Sequence, residues 1–200
     1  MLVFLDRQHC GKPNRWKDLG ASRDLDENGI VSTRECEAIL TAIYILECEI
    51  ILREKGYDVC VLSDGHYSER HKRVNDYQGD ENAVYISSHI NAGAARGGYG
   101  SCFFDHRSTK GDSLASAICE ELKVNCPELN NRTKIIECNP SDWTKNAYYT
   151  IKGVNCTAIC YEPFFIDCEA HEPLLTAEGL RRVGKSLAIG IDMFFKTELS

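Results

Sequence analysis

Two histidines and a glutamate stand where a chain can gather chemistry. His9 follows a first apolar run, Leu2–Leu5, Glu37 falls in the first turns of a long helical stretch, and His89 follows a second apolar run, Ala83–Ser88. In sheets flanked by helices, reacting groups collect where strands end and loops begin. Two imidazoles and a carboxylate are the ligand set of a catalytic zinc site that keeps its fourth position for water. Residue type alone leaves each histidine readable as a surface side chain as well.

The segment Asp24–Glu35 carries a second donor set. Asp24, Asp26, Asn28 and Ser32 occupy positions 1, 3, 5 and 9 of a twelve-residue loop, with Gly29 at 6, Ile30 at 7 and Glu35 at 12. This is the pattern of an EF-hand loop, in which calcium takes the side-chain oxygens, the Ile30 carbonyl, and Ser32 directly or through water. The other reading is a polar turn with a serine cap, and Lys12–Arg23 shows no clear entering helix. Glu35 and Glu37 lie two residues apart, about 200° on a helix, so a single ion cannot take both. Giving Glu35 to calcium and Glu37 to zinc removes the conflict, and calcium would then fix the start of the helix that carries Glu37.

The elements that must position these residues alternate in period. Leu2–Leu5, Tyr57–Leu62, Ala83–Ser88, Tyr99–Phe104 and Cys156–Tyr161 read as strands. A long helix is expected from Ser32/Thr33 to Lys55, closed by Gly56, with two apolar stripes: Ile39, Ile43, Leu46 and Ile50, and Leu40, Tyr44 and Ile51. So wide an apolar arc predicts a largely buried helix. Tyr67–Tyr77 reads as a weak polar helix, and Asp112 or Ser113 caps another through Leu114, Ile118 and Leu122. Thr133–Lys152 reads as one short strand and a loop, and Thr176 opens a last helix through Leu180, Val183, Leu187, Ile191 and Phe194. The alternation predicts an α/β fold, one domain over residues 1–200, with a mixed, mostly parallel twisted sheet of five or six strands flanked by helices and the calcium loop inserted at 24–35.

Composition limits what such a domain does. The 200 residues carry 23 basic and 30 acidic side chains, a net charge of −7, which argues against nucleic acid or anionic lipid as partner. No apolar run approaches the ~20 residues of a membrane span. The N-terminal apolar stretch is cut off by Asp6 and lacks a basic lead, so synthesis in the cytoplasm without a signal peptide is expected. Eleven cysteines, with no C-x-x-C pair, read as buried thiols. His66, His71 and His106 are expected at the surface, Cys156 and Cys160 in the core. His171 follows Glu162 closely enough to be a further site candidate, and Trp16 and Trp143 are either core anchors or the wall of a ligand groove.

Several stretches, in order along the chain, resemble the amidase-3 family of zinc N-acetylmuramoyl-L-alanine amidases. They are Val3-Phe4-Leu5-Asp6 leading to His9 and Gly11, Lys55-Gly56-Tyr57-Asp58-Val59, Ile86-Ser87-Ser88-His89-Ile90-Asn91-Ala92, Gly97–Phe104, and Ala158-Ile159-Cys160-Tyr161-Glu162-Pro163-Phe164-Phe165. The resemblance implies that His9, Glu37 and His89 hold zinc and that Glu162 is the catalytic glutamate. It implies hydrolysis of the amide between the lactyl group of N-acetylmuramic acid and L-alanine, with peptidoglycan as the partner, and an endolysin-like enzyme that meets the wall after release. Where the family pattern has Pro-Gly before the first histidine and Gly after it, this chain has Arg7, Gln8 and Cys10. The rival readings are a zinc peptidase or deacetylase acting on another amide, and a catalytically dead, calcium-regulated wall-binding module.

Overall fold

The structure, a computed structural model, describes residues 1–9, 19–24, 36–78, 82–93 and 97–198. Six strands form one sheet: β1 Leu2–Arg7, β2 Asp58–Leu62, β3 Ala83–Ser88, β4 Gly100–Asp105, β5 Thr133–Cys138 and β6 Thr157–Glu162. Their spatial order is β2-β1-β3-β6-β4-β5, parallel throughout except where β4 meets β6. This is the mixed, mostly parallel sheet expected from the alternating pattern.

Both faces are covered, which is why the central strands read as continuous apolar runs. Successive side chains point to opposite faces. Val3 and Leu5 join one core with α1 (Glu37–Glu54), α3 (Thr109–Asn125) and α5 (Ala177–Glu198). Leu2 and Phe4 join the other, under α2 (Tyr67–Gln78) and α4 (Lys145–Ile151).

Several boundaries and burials differ from expectation. The long helix starts at Glu37, because Cys36 is extended (φ −125°, ψ 155°) and bridges Ser22; Ser32 and Thr33 lie outside the described residues. Gly56 does close it, at φ +86°, a conformation glycine takes without strain. Helix α1 is not buried all round: Leu40 and Tyr44 face the core, while Ile39, Leu46 and Ile50 are 41%, 57% and 45% exposed. The Leu40 stripe packs into the core; of the other stripe only Ile43 packs against it, partly buried, while Ile39, Leu46 and Ile50 stay exposed.

Helix α3 begins earlier than expected, at Thr109, because the Ser108 hydroxyl accepts the Gly111 N–H at 2.9 Å. The stretch expected as strand and loop is β5 followed by α4, whose Ala147, Tyr148 and Ile151 are buried against the second core. Its apolar residues are too few for a periodic signal, and tertiary packing decides the helix. Helix α5 starts as expected, with the Thr176 hydroxyl accepting the Gly179 N–H. His71 is buried rather than at the surface, its Nε2 against the Thr150 carbonyl at 2.9 Å, whereas His66 and His106 are exposed. The ten described cysteines are free thiols, eight of them buried, as the sequence predicts. Cys160 lies in the core as expected, whereas Cys156 is only half-buried.

Candidate metal centre

The parallel strands β1, β3 and β6 lie side by side, and each delivers one polar residue at its C-terminal end. Strand β1 runs through Asp6 to His9, which turns at φ +59°, uncommon for a residue with a Cβ. Strand β3 leads to His89, whose N–H donates to the Tyr161 carbonyl at 2.8 Å and whose carbonyl accepts the Tyr44 hydroxyl at 2.9 Å. Strand β6 ends on Glu162.

Glu37, the first residue of α1, faces these exits from the helix N-terminus, where the backbone dipole favours a carboxylate. Its Oε1 accepts from His89 Nδ1 at 2.8 Å and from the Ile90 N–H at 3.0 Å, and stands 3.5 Å from His9 Nε2. Its Oε2 accepts the Ala21 N–H at 2.9 Å. A Cβ on Gly20, at φ +75°, would lie 2.3 Å from that oxygen, so the Leu19–Asp24 strip closes over Glu37 only with glycine there. The same strip is tied to the helix start by Glu37 N–H to Ala21 O at 2.7 Å and Ala38 N–H to Leu19 O at 3.1 Å.

Electrostatics follow from this packing. Burial would raise the Glu37 carboxyl, but the hydrogen bond and charge of His89, then the charge of His9, hold it below its ordinary value. Burial opposes the charged form of His89, yet the bond and charge of Glu37 lift its pKa. At Glu162 burial dominates and raises the carboxyl, helped by Glu37 and opposed by His89 and Asn91. A carboxylate desolvated in this way is a stronger base.

The donor atoms of His9, Glu37 and His89 all lie within 4.8 Å of one another. Donors around a tetrahedral ion at about 2.0–2.1 Å stand roughly 3.4 Å apart, close to the His9–Glu37 separation. His89 Nε2 is buried without a hydrogen-bond partner among the described residues. Two nitrogens and a carboxylate oxygen suit zinc, so the residues present fit that ion. The centre opens into a cleft of about 440 Å³ that Glu162 and Asn91 share, walled by Tyr67 of α2 and Asn146, Tyr149 and Thr150 of α4.

The structure thus brings together all four residues expected of the first site. Of the expected calcium ligands, Asp24 is described, and Asp26, Asn28, Ile30, Ser32 and Glu35 lie outside the described residues, as do Cys10 and Trp16. His171 is buried apart from the triad, its Nδ1 accepting the Phe165 N–H at 3.0 Å. Trp143 is 70% exposed, edge-on to Phe103 and outside the cleft. The sequence reading gave no role to Asn91, quoted there only within its motif; its Nδ2 donates to Glu162 Oε2 while its Oδ1 accepts the Ala92 N–H at 2.8 Å. Its spacing of two from His89 was the available signal, since alternate residues of an extended segment share a side.

A pair of imidazoles and a carboxylate beside a desolvated glutamate, at the C-terminal edge of a parallel sheet, is the layout of a metal-assisted hydrolase. The N-acetylmuramoyl-L-alanine amidase family (amidase-3) matches residues 3–193, and the chain belongs to it. Among solved structures it is similar to Cwp6 from Clostridium difficile, at 25% identity over 96% of this chain with a TM-score of 0.78, and it spans 29% of the length of that protein. It is also similar to AmiC2 of Nostoc punctiforme, an N-acetylmuramoyl-L-alanine amidase, at 17% identity, covering 98% of this chain and 97% of that one with a TM-score of 0.76. The catalytic domain of CwlV, an N-acetylmuramoyl-L-alanine amidase from Bacillus (Paenibacillus) polymyxa, aligns at 19% identity over 98% of both chains with a TM-score of 0.74. At such identities the last two speak to the fold alone. A search of the curated proteins finds no match.

Proposed function

We propose that this chain is a zinc-dependent hydrolase that cuts the amide between the lactyl group of N-acetylmuramic acid and L-alanine in peptidoglycan. The observation that carries the reading is the convergence of His9, Glu37 and His89 within reach of one ion, in the cleft that Glu162 lines. Zinc held by those three would supply Lewis acidity to polarise the amide carbonyl and acidify a water. The remaining work falls to the chain. Glu162 takes the proton of the attacking water and returns it to the alanine nitrogen, which leaves as an amine. Asn91 holds one Glu162 oxygen, so the other is turned to the substrate. Tyr67, Asn146 and Tyr149 form the wall against which the sugar and peptide stem must lie.

Digestion of purified cell wall tests the reading. New N-terminal alanine amines at constant sugar reducing ends are expected; free acetate, or amines on other residues only, would instead mean a deacetylase or peptidase. The proposal extends to a structural calcium ion bound by the 24–35 loop. Its support is the twelve-residue donor pattern, together with the ties that join Leu19–Asp24 to Cys36–Ala38 at the base of that loop.

A further inference from the structure

Between the end of β1 and the start of α1 lies a set of polar contacts that the chemistry above does not use. Asp6 and Arg70 form an ion pair with no solvent exposure on either side chain. The second Asp6 oxygen accepts from Gln8 Nε2 at 2.6 Å and from the Tyr85 hydroxyl. Arg70 also donates to the Arg7 carbonyl at 2.8 Å, and through Nε to the carbonyls of Asp64 and Gly65, each at 3.1 Å. Residues 6, 7 and 8 are therefore held one after another, directly before the left-handed turn that aims His9. Arg7 then reaches the other way: its Nη2 donates to the Ala38 carbonyl at 3.3 Å, one residue beyond Glu37.

We propose that Arg7 and Gln8, braced by Arg70, are positioning residues that set the separation of His9 from Glu37 and so pre-organise the metal centre. This rests on the reading of His9, Glu37 and His89 as metal ligands. His9 comes from a strand exit and Glu37 from a helix start, and these elements have no covalent link shorter than the intervening loop. The Arg7 side chain is a direct bridge between them, and Gln8, the residue before His9, is pinned through its side chain to the Asp6 carboxylate that Arg70 also holds. Groups that orient metal ligands are typically worth about 10–100-fold in affinity.

The test is zinc affinity by chelator competition, with the melting temperature of the metal-free protein measured alongside. Arg70→Ala would strand Asp6 in the interior and endanger folding, so the variants are Arg7→Ala, Gln8→Ala and Arg7→Lys. Arg7→Ala and Gln8→Ala are each expected to weaken zinc binding about 10-fold or more, with a small change in apo melting temperature, and Arg7→Lys to recover part of the loss. Arg182→Ala, which breaks a remote pair with Glu128, is the control: it lowers melting temperature and leaves zinc affinity unchanged. Zinc binding by Arg7→Ala and Gln8→Ala equal to wild type, or weakened no more than by the control, overturns the clamp. His89→Ala probes the centre itself: if wild type and His89→Ala bind zinc alike, the metal reading fails, and the clamp with it.

Discussion

Glu162 is half-buried at the last residue of β6, with Asn91 on one oxygen and His9, Glu37 and His89 across the cleft. A glutamine there keeps the shape and the contact to Asn91 and loses the base. Glu162→Gln is expected to lower the rate of alanine-amine release by about 10²–10⁴-fold, while zinc content and melting temperature stay within error of wild type. A variant that retains half the wild-type rate would remove Glu162 from the chemistry. At this scale the sequence was informative about residue types and silent about contacts. His9, His89 and Glu162 were singled out because each stands at an element end inside a recognisable local pattern, and Glu37 because it falls at the start of a helix; the structure brings the four to one cleft. Arg70 was not, since an arginine in a polar helix reads as solvent-facing, and only the buried Asp6 beneath it explains its place.

Helix α1 carries Glu37 at its first residue, and its far end is tied to α5 through Asp192. Tyr57 and the ammonium groups of Lys55 and Lys196 all bond the Asp192 carboxylate, whose side chain is 8% exposed. Burial pushes that carboxyl up, but the bonds from Lys196, Lys55 and Tyr57 outweigh it and bring it from 3.8 down to about 2. The folded chain thus holds this proton more weakly than the unfolded chain does. The resulting stability is complete above the unfolded value near 4 and is lost as pH falls through about 2. Because both lysines reach solvent, the contribution is roughly 1 kcal/mol. Urea unfolding should show Asp192→Asn less stable than wild type by that amount at pH 7, with the two curves converging between pH 4 and pH 2. A constant difference across that range would mean that the carboxylate's charge is not the cause. Helix α1 also shows where periodicity misleads: both apolar stripes satisfy the helical period, yet Leu40 and Tyr44 are fully in the core, whereas of the other stripe only Ile43 reaches it. Helix α4 is the opposite case, with too few apolar residues to announce itself, and yet it forms one wall of the cleft.

For the molecule as a whole, a metal joining β1, β3 and the start of α1 ties together segments that chain connectivity leaves independent. Zinc at 100 times its dissociation constant adds about 2.7 kcal/mol to the folded state, which for a chain of this size raises the melting temperature by roughly 5–10 °C. Calorimetry of protein stripped of metal, then reloaded with zinc, measures this. Calcium added to the stripped protein should raise the melting temperature and tighten subsequent zinc binding, and no change in either would leave the 24–35 loop without a calcium role. The sequence by itself determined the alternating elements, the single α/β domain and the kinds of donor available, because local periodicity and residue chemistry encode these directly. The strand order β2-β1-β3-β6-β4-β5 was decided only in the tertiary structure, by mostly parallel hydrogen bonding between segments as far apart in the chain as Leu2 and Ala83. That order puts the exits of β1, β3 and β6 side by side and so makes His9, His89 and Glu162 neighbours; no local pattern states which strands will pair, because pairing is selected by the burial of both sheet faces at once.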